Sequence, residues 1–365
     1  MTFVLVVCAI ALLVAVHNLL VARLWHIPLE PDEIHYAITE DRWRLAISRY
    51  RGRPGGPREP VILCHGLGAN RYNMDFGETQ SLAKHLHHRG FDVWVAEVRG
   101  AGMSSHPRLF SRYQYGYSFD DFAWRDAPAI VEAVKRATGA PQVFWVGHSM
   151  GGIIAYVFLQ GPLAASIRGM VAIASPGRFS DHPVFTLYQG WTRLASVLPA
   201  MHLEGISIAF APYITLLPRF LSDILINTSN MDPRVIRQSL VNLTANISRG
   251  VFLQFADWME RGHMWDAALA RDYTEGLKAI TTPLLLLAGG GDRIVPPDAV
   301  KTVYDAVASA DKTMRCFSIA DGDRADYGHG DILLGVTAPG EIFPAVAAWL
   351  EARATAPDAP PTRPA

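Results

Sequence analysis

The sequence predicts an α/β fold: a mostly parallel central sheet flanked by helices, with a helical cap inserted before the penultimate strand. Three observations carry this expectation. The first is alternation, in which apolar runs such as PVILC, FDVWVAEV, VFWVG and MVAIAS are separated by helix-like stretches, as parallel strands buried on both faces require. The second is an interruption between Ser175 and Thr282, where the chain turns aromatic and proline-punctuated with helical periodicity before strands resume at PLLLLAGGGD. The third is VFWVGHSMGG, Val143 to Gly152, in which a strand-like run ends at Gly147, a helix-like run follows, and Ser149 stands at the apex.

Composition narrows the function classes. A chain of 365 residues that is half hydrophobic and 18% charged has room for a sizeable core, in one large domain with an insertion or in two ordinary domains. A formal net charge of −1 supplies no basic stripe to neutralise phosphates, which argues against nucleic acid as a partner. Cys8, Cys64 and Cys316 are too few and too scattered for a disulfide framework or a zinc site.

In chain order, Thr2 to Ala22 contain no Asp, Glu, Lys or Arg, and at helical rise this run spans ~30 Å, the thickness of a bilayer core. It reads as an uncleaved single-pass membrane anchor. A cleaved signal peptide is the rival, but no basic residue precedes the run and Leu20 with Ala22 makes a poor cleavage site. Arg23, Arg42, Arg44 and Arg49 follow the span and none precedes it, which leans towards a cytoplasmic catalytic domain. HYAITEDRWRLAISRY, from His35 to Tyr50, predicts a hairpin. Strands follow at PVILC, FDVWVAEV, VFWVG, MVAIAS, PLLLLAG and TMRCFSIA, with helices at GETQSLAKHLHH, DDFAWRDAPAIVEAVKRAT and IIAYVFLQ, from about Pro297, and from Gly340 to Ala352. The resulting division is an anchor over residues 1–24, a first core part over 30–175, a helical cap over 176–281, a second core part over 282–354 and a Pro-rich disordered tail over 355–365.

The Gly-x-Ser-x-Gly pattern at Gly147, Ser149 and Gly151 is what a strained strand-turn-helix apex needs, because a Cβ at either glycine blocks the approach of strand and helix. A serine nucleophile then needs a base and a carboxylate to orient it. Asp292 follows the strand run in GGGD, and His329 lies in the loop after the next strand. The order Ser149, Asp292, His329 is that of α/β-hydrolases, and all three fall at the carboxyl ends of strands, where open sheets carry their sites. Backbone N–H groups of Met150 and Leu67 are the expected oxyanion donors, with Gly66 and Gly68 allowing close approach and His65 supporting the turn.

Other candidates read as structural. Asp321, Asp323 and Asp326 miss the spacing of a calcium loop. Asp331 reads as a support for the histidine loop. His85, His87 and His88 have no partner spaced to bind metal and sit where a helix C-terminus favours imidazolium. GLG at Gly66 and GAG at Gly100 lack the third glycine of a dinucleotide fingerprint, so no cofactor is expected. Phe179, Phe185, Tyr188, Trp191, Trp258 and Trp265 are individually cap core, and together imply an apolar cavity over the site.

Taken together, HYAITEDRWRLAISR, HGLGAN, FDVWVAEVRGAGMS, YSFDDFAWRDAPAIVEAV, VGHSMGG, GGGDRIVPPDAV and GHGDILLG resemble the acid lipase (gastric and lysosomal lipase) group of α/β-hydrolases and its bacterial relatives. The chain departs from that group in having an apparent anchor in place of a cleaved signal and no paired cysteine in the insertion. The resemblance implies Ser149 as nucleophile, Asp292 as triad acid and His329 as base. The expected activity is cleavage of carboxylic esters with an apolar acyl part, on a small-molecule or lipid substrate. An acyltransferase, a polyester-active hydrolase and a catalytically silent membrane-bound binding protein are the alternatives.

Overall fold

Runs that are apolar along their whole length lie in the interior of the sheet. In the computed structural model the described residues are all except 1, 55, 58, 108–110, 180–196, 217, 219–222, 224, 225 and 356–365. β1 (Glu33–Ile38) and β2 (Arg44–Tyr50) form the expected hairpin, antiparallel, with Glu33 opposite Arg49. β3 (Val61–Cys64), β4 (Val93–Ala96), β5 (Val143–His148) and β6 (Ile167–Ile173) follow. After a short ribbon of β7 (Ala200–Met201) and β8 (Ile247–Ser248) come β9 (Leu284–Gly289) and β10 (Lys312–Phe317). The eight-stranded sheet runs β1-β2-β4-β3-β5-β6-β9-β10, and every pairing from β4 to β10 is parallel. Strands β3, β4, β5 and β9 are buried at every residue, as strands covered on both sides must be.

Period-two alternation divides the core into two layers. Ile62, Cys64 and Trp145 face α3 (Ala127–Thr138), α4 (Met150–Phe158) and α8 (Pro297–Ala306), whereas Val61, Leu63 and Val146 face α2 (Leu82–His88) and α9 (Ala338–Glu351). Three helix boundaries differ from the sequence reading. α2 starts at Leu82, because Ser81 caps it by accepting the Lys84 N–H (2.9 Å) and Gly77 takes a left-handed turn (φ 65°). The long helix expected from Asp120 is divided: residues 122–126 form a π-turn before α3, where Asp126 bonds both the backbone and the guanidinium of Arg99. α4 begins directly after Ser149, three residues earlier than its apolar run suggests.

Between β6 and β9 lie α5 (Leu203–Phe210), α6 (Pro233–Asn242) and α7 (Arg249–Arg261), together with the β7/β8 ribbon. Trp258 is fully buried there, its ring 4.8 Å from Phe119 and 5.8 Å from Phe179. Trp265 is partly buried and its carbonyl accepts the Trp258 Nε1–H (2.7 Å). Phe185, Tyr188 and Trp191 lie outside the described residues, as do residues 356–365 of the Pro-rich tail. Thr355, the tail's first residue, donates its N–H to Glu59 (2.8 Å).

The N-terminal apolar run is a single helix, α1 (Thr2–Trp25). Its stretch Val4–Trp25 is long and apolar enough to cross a bilayer.

Candidate active site

The apex after β5 has the geometry its glycines allow. Ser149 adopts φ 51°, ψ −119°, a strained conformation for a residue with a side chain, and its N–H donates to Ile173 (2.8 Å) on the next strand. A Cβ on Gly147 would collide with the backbone of Gly151, and one on Gly151 with the carbonyl of Cys64. The buried Trp145 Nε1–H donates to the Gly151 carbonyl (3.0 Å), tying the first turn of α4 to the strand beneath it. Ser149 therefore stands at a helix N-terminus, where unpaired N–H groups favour developing negative charge.

Two loops from the second core part reach this serine. His329 Nε2 is 3.0 Å from Ser149 Oγ, and its Nδ1 is 2.8 Å from Asp292 Oδ2. Asp292 is buried at the end of β9, and its other oxygen accepts the N–H groups of Ile294 and Val295 (both 2.8 Å). Its carboxylate is thereby fixed before the imidazole meets it, leaving one oxygen for Nδ1. The arrangement can hold an imidazole with a bare Nε2 towards the hydroxyl.

The rival acidic residues are engaged elsewhere. Asp323 pairs with Arg315 (2.7 Å) and accepts the Ser318 N–H, Asp326 accepts the Ile319 N–H (2.9 Å), and Asp321 accepts the Ser318 hydroxyl. Asp331 lies beneath the histidine loop and accepts the N–H groups of Gly328 (3.0 Å) and Asn227 (2.7 Å) and the amide of Asn230 (3.0 Å). Burial raises its carboxyl above the usual range, and these donors oppose that shift. Of the three helix histidines, His85 packs on Phe343 and His87 on Tyr50.

On the other side of Ser149 lies the turn after β3. A Cβ on Gly66 would come within 3.3 Å of the Ser149 Cβ, so this glycine gives the turn its close approach. Among the described residues no protein acceptor takes the N–H of Leu67 or Met150. Both residues line a cavity of about 20 Å³ with His65, Val98, Tyr117 and Ile247, a space on the scale of one water molecule. Ala245 donates its N–H to Gly68 (2.7 Å), so the chain after α6 holds this turn in place.

His65 is buried beneath the turn. Its Nδ1–H donates to the Gly66 carbonyl (2.8 Å) and its Nε2 accepts the Val98 N–H (3.3 Å). Burial lowers its pKa to about 4, and a second proton on Nε2 would face the Val98 donor. An unfolded histidine titrates near ~6.5, so between these values the unfolded chain binds more protons and this residue's contribution is lost as pH falls. The shift corresponds to about 3 kcal/mol. Other buried groups titrate too, so the measurement is a difference. His65→Gln is expected to be less stable than the wild type at pH 7.5, with the gap in denaturant midpoint closing as pH falls towards 4.5. A gap independent of pH would contradict a neutral buried His65.

One residue of the apex motif has a role its sequence context does not reveal. His148 Nε2 lies 3.0 Å from the His329 carbonyl and Nδ1 lies 3.0 Å from Asn73 Oδ1, which accepts the Gly66 N–H (2.9 Å); the neutral ring donates its single N–H to one of these two oxygens. This buried ring bridges the Gly66 turn and the histidine loop. Burial, with His329 beside it, holds its pKa well below the ordinary value.

The fold and this geometry prompt comparison with known proteins. A family model described as serine aminopeptidase, S33, matches residues 55–320. The chain belongs to this family of α/β-hydrolases. Among curated relatives, human lipase member K is 27% identical over 87% of the chain and 86% of its own length. Human lysosomal acid lipase/cholesteryl ester hydrolase is 31% identical over 43% of the chain and 46% of its own length. The S33 chain thus resembles the acid lipases, as its motifs imply. Among solved structures, a soluble variant of monoglyceride lipase from Saccharomyces cerevisiae superposes with a TM-score of 0.60 at 20% identity, over 90% of this chain and 97% of the other. That likeness concerns the fold: both are α/β-hydrolases.

Proposed function

We propose that this lipase- and esterase-like S33 hydrolase cleaves carboxylic esters with an apolar acyl part through an acyl-enzyme on Ser149. His329 takes the serine proton as the hydroxyl attacks the ester carbonyl and returns it to the leaving alcohol; water then repeats the sequence on the acyl-enzyme. Asp292 holds the imidazole in the required tautomer, and the N–H groups of Leu67 and Met150 bind the oxyanion. The observation that carries the reading is the pair of contacts at His329, 3.0 Å to Ser149 and 2.8 Å to Asp292, at a serine held in a strained apex. The apolar acyl part rests on relatives whose names are those of lipases and a cholesteryl ester hydrolase. Residues 176–281 act as the cap over the site, and α1 acts as a single-pass anchor, with the arginines after it favouring the cytoplasmic side for the catalytic domain.

A series of p-nitrophenyl esters tests the acyl preference. kcat/KM is expected to rise with chain length beyond acetate, since each buried CH₂ contributes up to ~0.8 kcal/mol. A series that falls monotonically from acetate would contradict an apolar acyl site. Added alcohol acceptors are expected to leave free acid as the main product, whereas a majority of transferred ester would make the protein an acyltransferase.

A further inference from the structure

The N-terminal helix is attached to the rest of the protein by one end only. Its stripe of His17, Asn18, Val21 and Trp25 sits against α5 and α6. Asn18 Nδ2 donates to the Gly205 carbonyl (3.0 Å), and a His17 ring nitrogen lies 3.2 Å from the Ala209 carbonyl, with the ring stacked on Tyr213. Asn242 closes the joint: its Nδ2 donates to the Trp25 carbonyl (2.9 Å) and its Oδ1 accepts the Ile27 N–H (3.1 Å). Val4–Val16 are exposed throughout.

Length decides what this means in a membrane. The free part, Val4–Val16, is ~20 Å long, whereas a hydrocarbon core is ~30 Å thick and takes up the whole run from Thr2 to Ala22. The boundary then falls at Arg23 and Trp25, where the Arg237 guanidinium also lies over the Trp25 ring (5.6 Å), a basic and aromatic pairing suited to the headgroup level. Asn18 and His17 lie ~8–9 Å inside that boundary. Whatever packs on them lies at the same depth. That element is α5 with the 3-10 turn after it, Ala211–Leu216, which has no Asp, Glu, Lys or Arg from Gly205 to Leu216. Along it Ile206, Phe210, Tyr213 and Leu216 recur at helical spacing, each more than half exposed.

We propose that the α5 face bearing Ile206, Phe210, Tyr213 and Leu216 is a second membrane-embedded surface, sunk into the same leaflet as α1. The inference rests on α1 being a bilayer anchor, and it adds that the cap itself enters the lipid, to the ~5–10 Å typical of interfacial helices. An exposed apolar face of this kind marks an interaction site, and here the adjoining spanning helix specifies a bilayer as its occupant. The consequence for the reaction follows from Asn242, whose carbonyl accepts the Asn70 amide (2.7 Å) at the end of the Gly66–Asn70 turn. The joint that sets the protein's depth is thus hydrogen-bonded to the turn carrying Leu67, and under the proposal a lipid-embedded ester enters on the membrane side of the cap.

The test uses the full chain with Cys8→Ser and Cys316→Ser, Cys64 being buried, and an environment-sensitive NBD label on Phe210→Cys, reconstituted in phosphatidylcholine vesicles. Flotation with the vesicles after carbonate washing reports the anchor, and the label reports the cap. The expected result is flotation, blue-shifted NBD emission, and quenching by phosphatidylcholine spin-labelled high on the acyl chain. A label on Lys301→Cys, on α8, should show neither effect. Flotation with water-like emission at position 210 would overturn the cap inference and leave the anchor standing; failure to float would overturn both. In activity, Ile206→Glu with Phe210→Glu should lower turnover of a long-chain ester embedded in vesicles roughly tenfold and leave a dissolved short-chain ester unaffected. Equal loss on both substrates would contradict the inference.

Discussion

Ser149→Ala is expected to lower kcat on a p-nitrophenyl ester by roughly a millionfold, the scale seen when the nucleophile of a serine triad is deleted. The hydroxyl lies 3.0 Å from His329 Nε2, and no other residue from 147 to 152 carries a hydroxyl, so in the proposed mechanism its loss removes covalent catalysis and leaves only binding and oxyanion donation. Alanine also relieves no clash, because Gly147 and Gly151 already admit the turn. The folded state should therefore survive, and matching thermal unfolding of variant and wild type is the control. A loss of less than a hundredfold in purified variant would remove Ser149 from the mechanism.

Asp292→Asn should cost roughly ten thousandfold in kcat with little change in KM, the magnitude associated with a wrong imidazole tautomer. The native carboxylate uses one oxygen for Ile294 and Val295 and the other for His329 Nδ1. Asparagine can keep its oxygen on the two backbone donors, which presents its NH₂ to Nδ1. The imidazole then carries its proton on Nε2, facing Ser149, where it can no longer accept the hydroxyl proton. A fall of less than tenfold would mean that another carboxylate orients the base. The structure offers poor substitutes, because Asp323, Asp326 and Asp331 are each committed to local donors.

How far the site could be read in advance depends on the range of the interaction involved. Gly147, Ser149 and Gly151 were legible because the constraint is steric and confined to one turn. Asp292 and His329 were legible because strand ends are recognisable and the chain order matches a known constellation. The sheet was legible for a similar reason, since β3, β5 and β9 are continuous apolar runs bounded by glycine or polar turns. Asn73, His148 and Asn242 were not, although the first two join the Gly66 turn to the histidine loop and the third holds the end of that turn. His148 meets an Asn73 that is 75 residues away, and Asn242 meets an Asn70 at a separation of 172. Asparagine pairings at such distances leave no periodicity. The role of Asp331 was visible in outline, but its partners Asn227 and Asn230, more than 100 residues away, were not. Helix starts were misplaced where a side chain outranked the apolar pattern, as Ser81 does by capping α2 and Asp126 by binding Arg99.

The most direct measurement for the proposed mechanism is labelling with a fluorophosphonate ester, followed by peptide mass analysis. Such a reagent phosphonylates a serine only where a base activates it and oxyanion donors receive the new P–O⁻ group. The account predicts one adduct per chain, on the peptide containing Ser149, formed rapidly in the wild type, slowly in Asp292→Asn and not at all in Ser149→Ala. An unlabelled wild-type protein that still hydrolyses esters, or an adduct on any other residue, would contradict it.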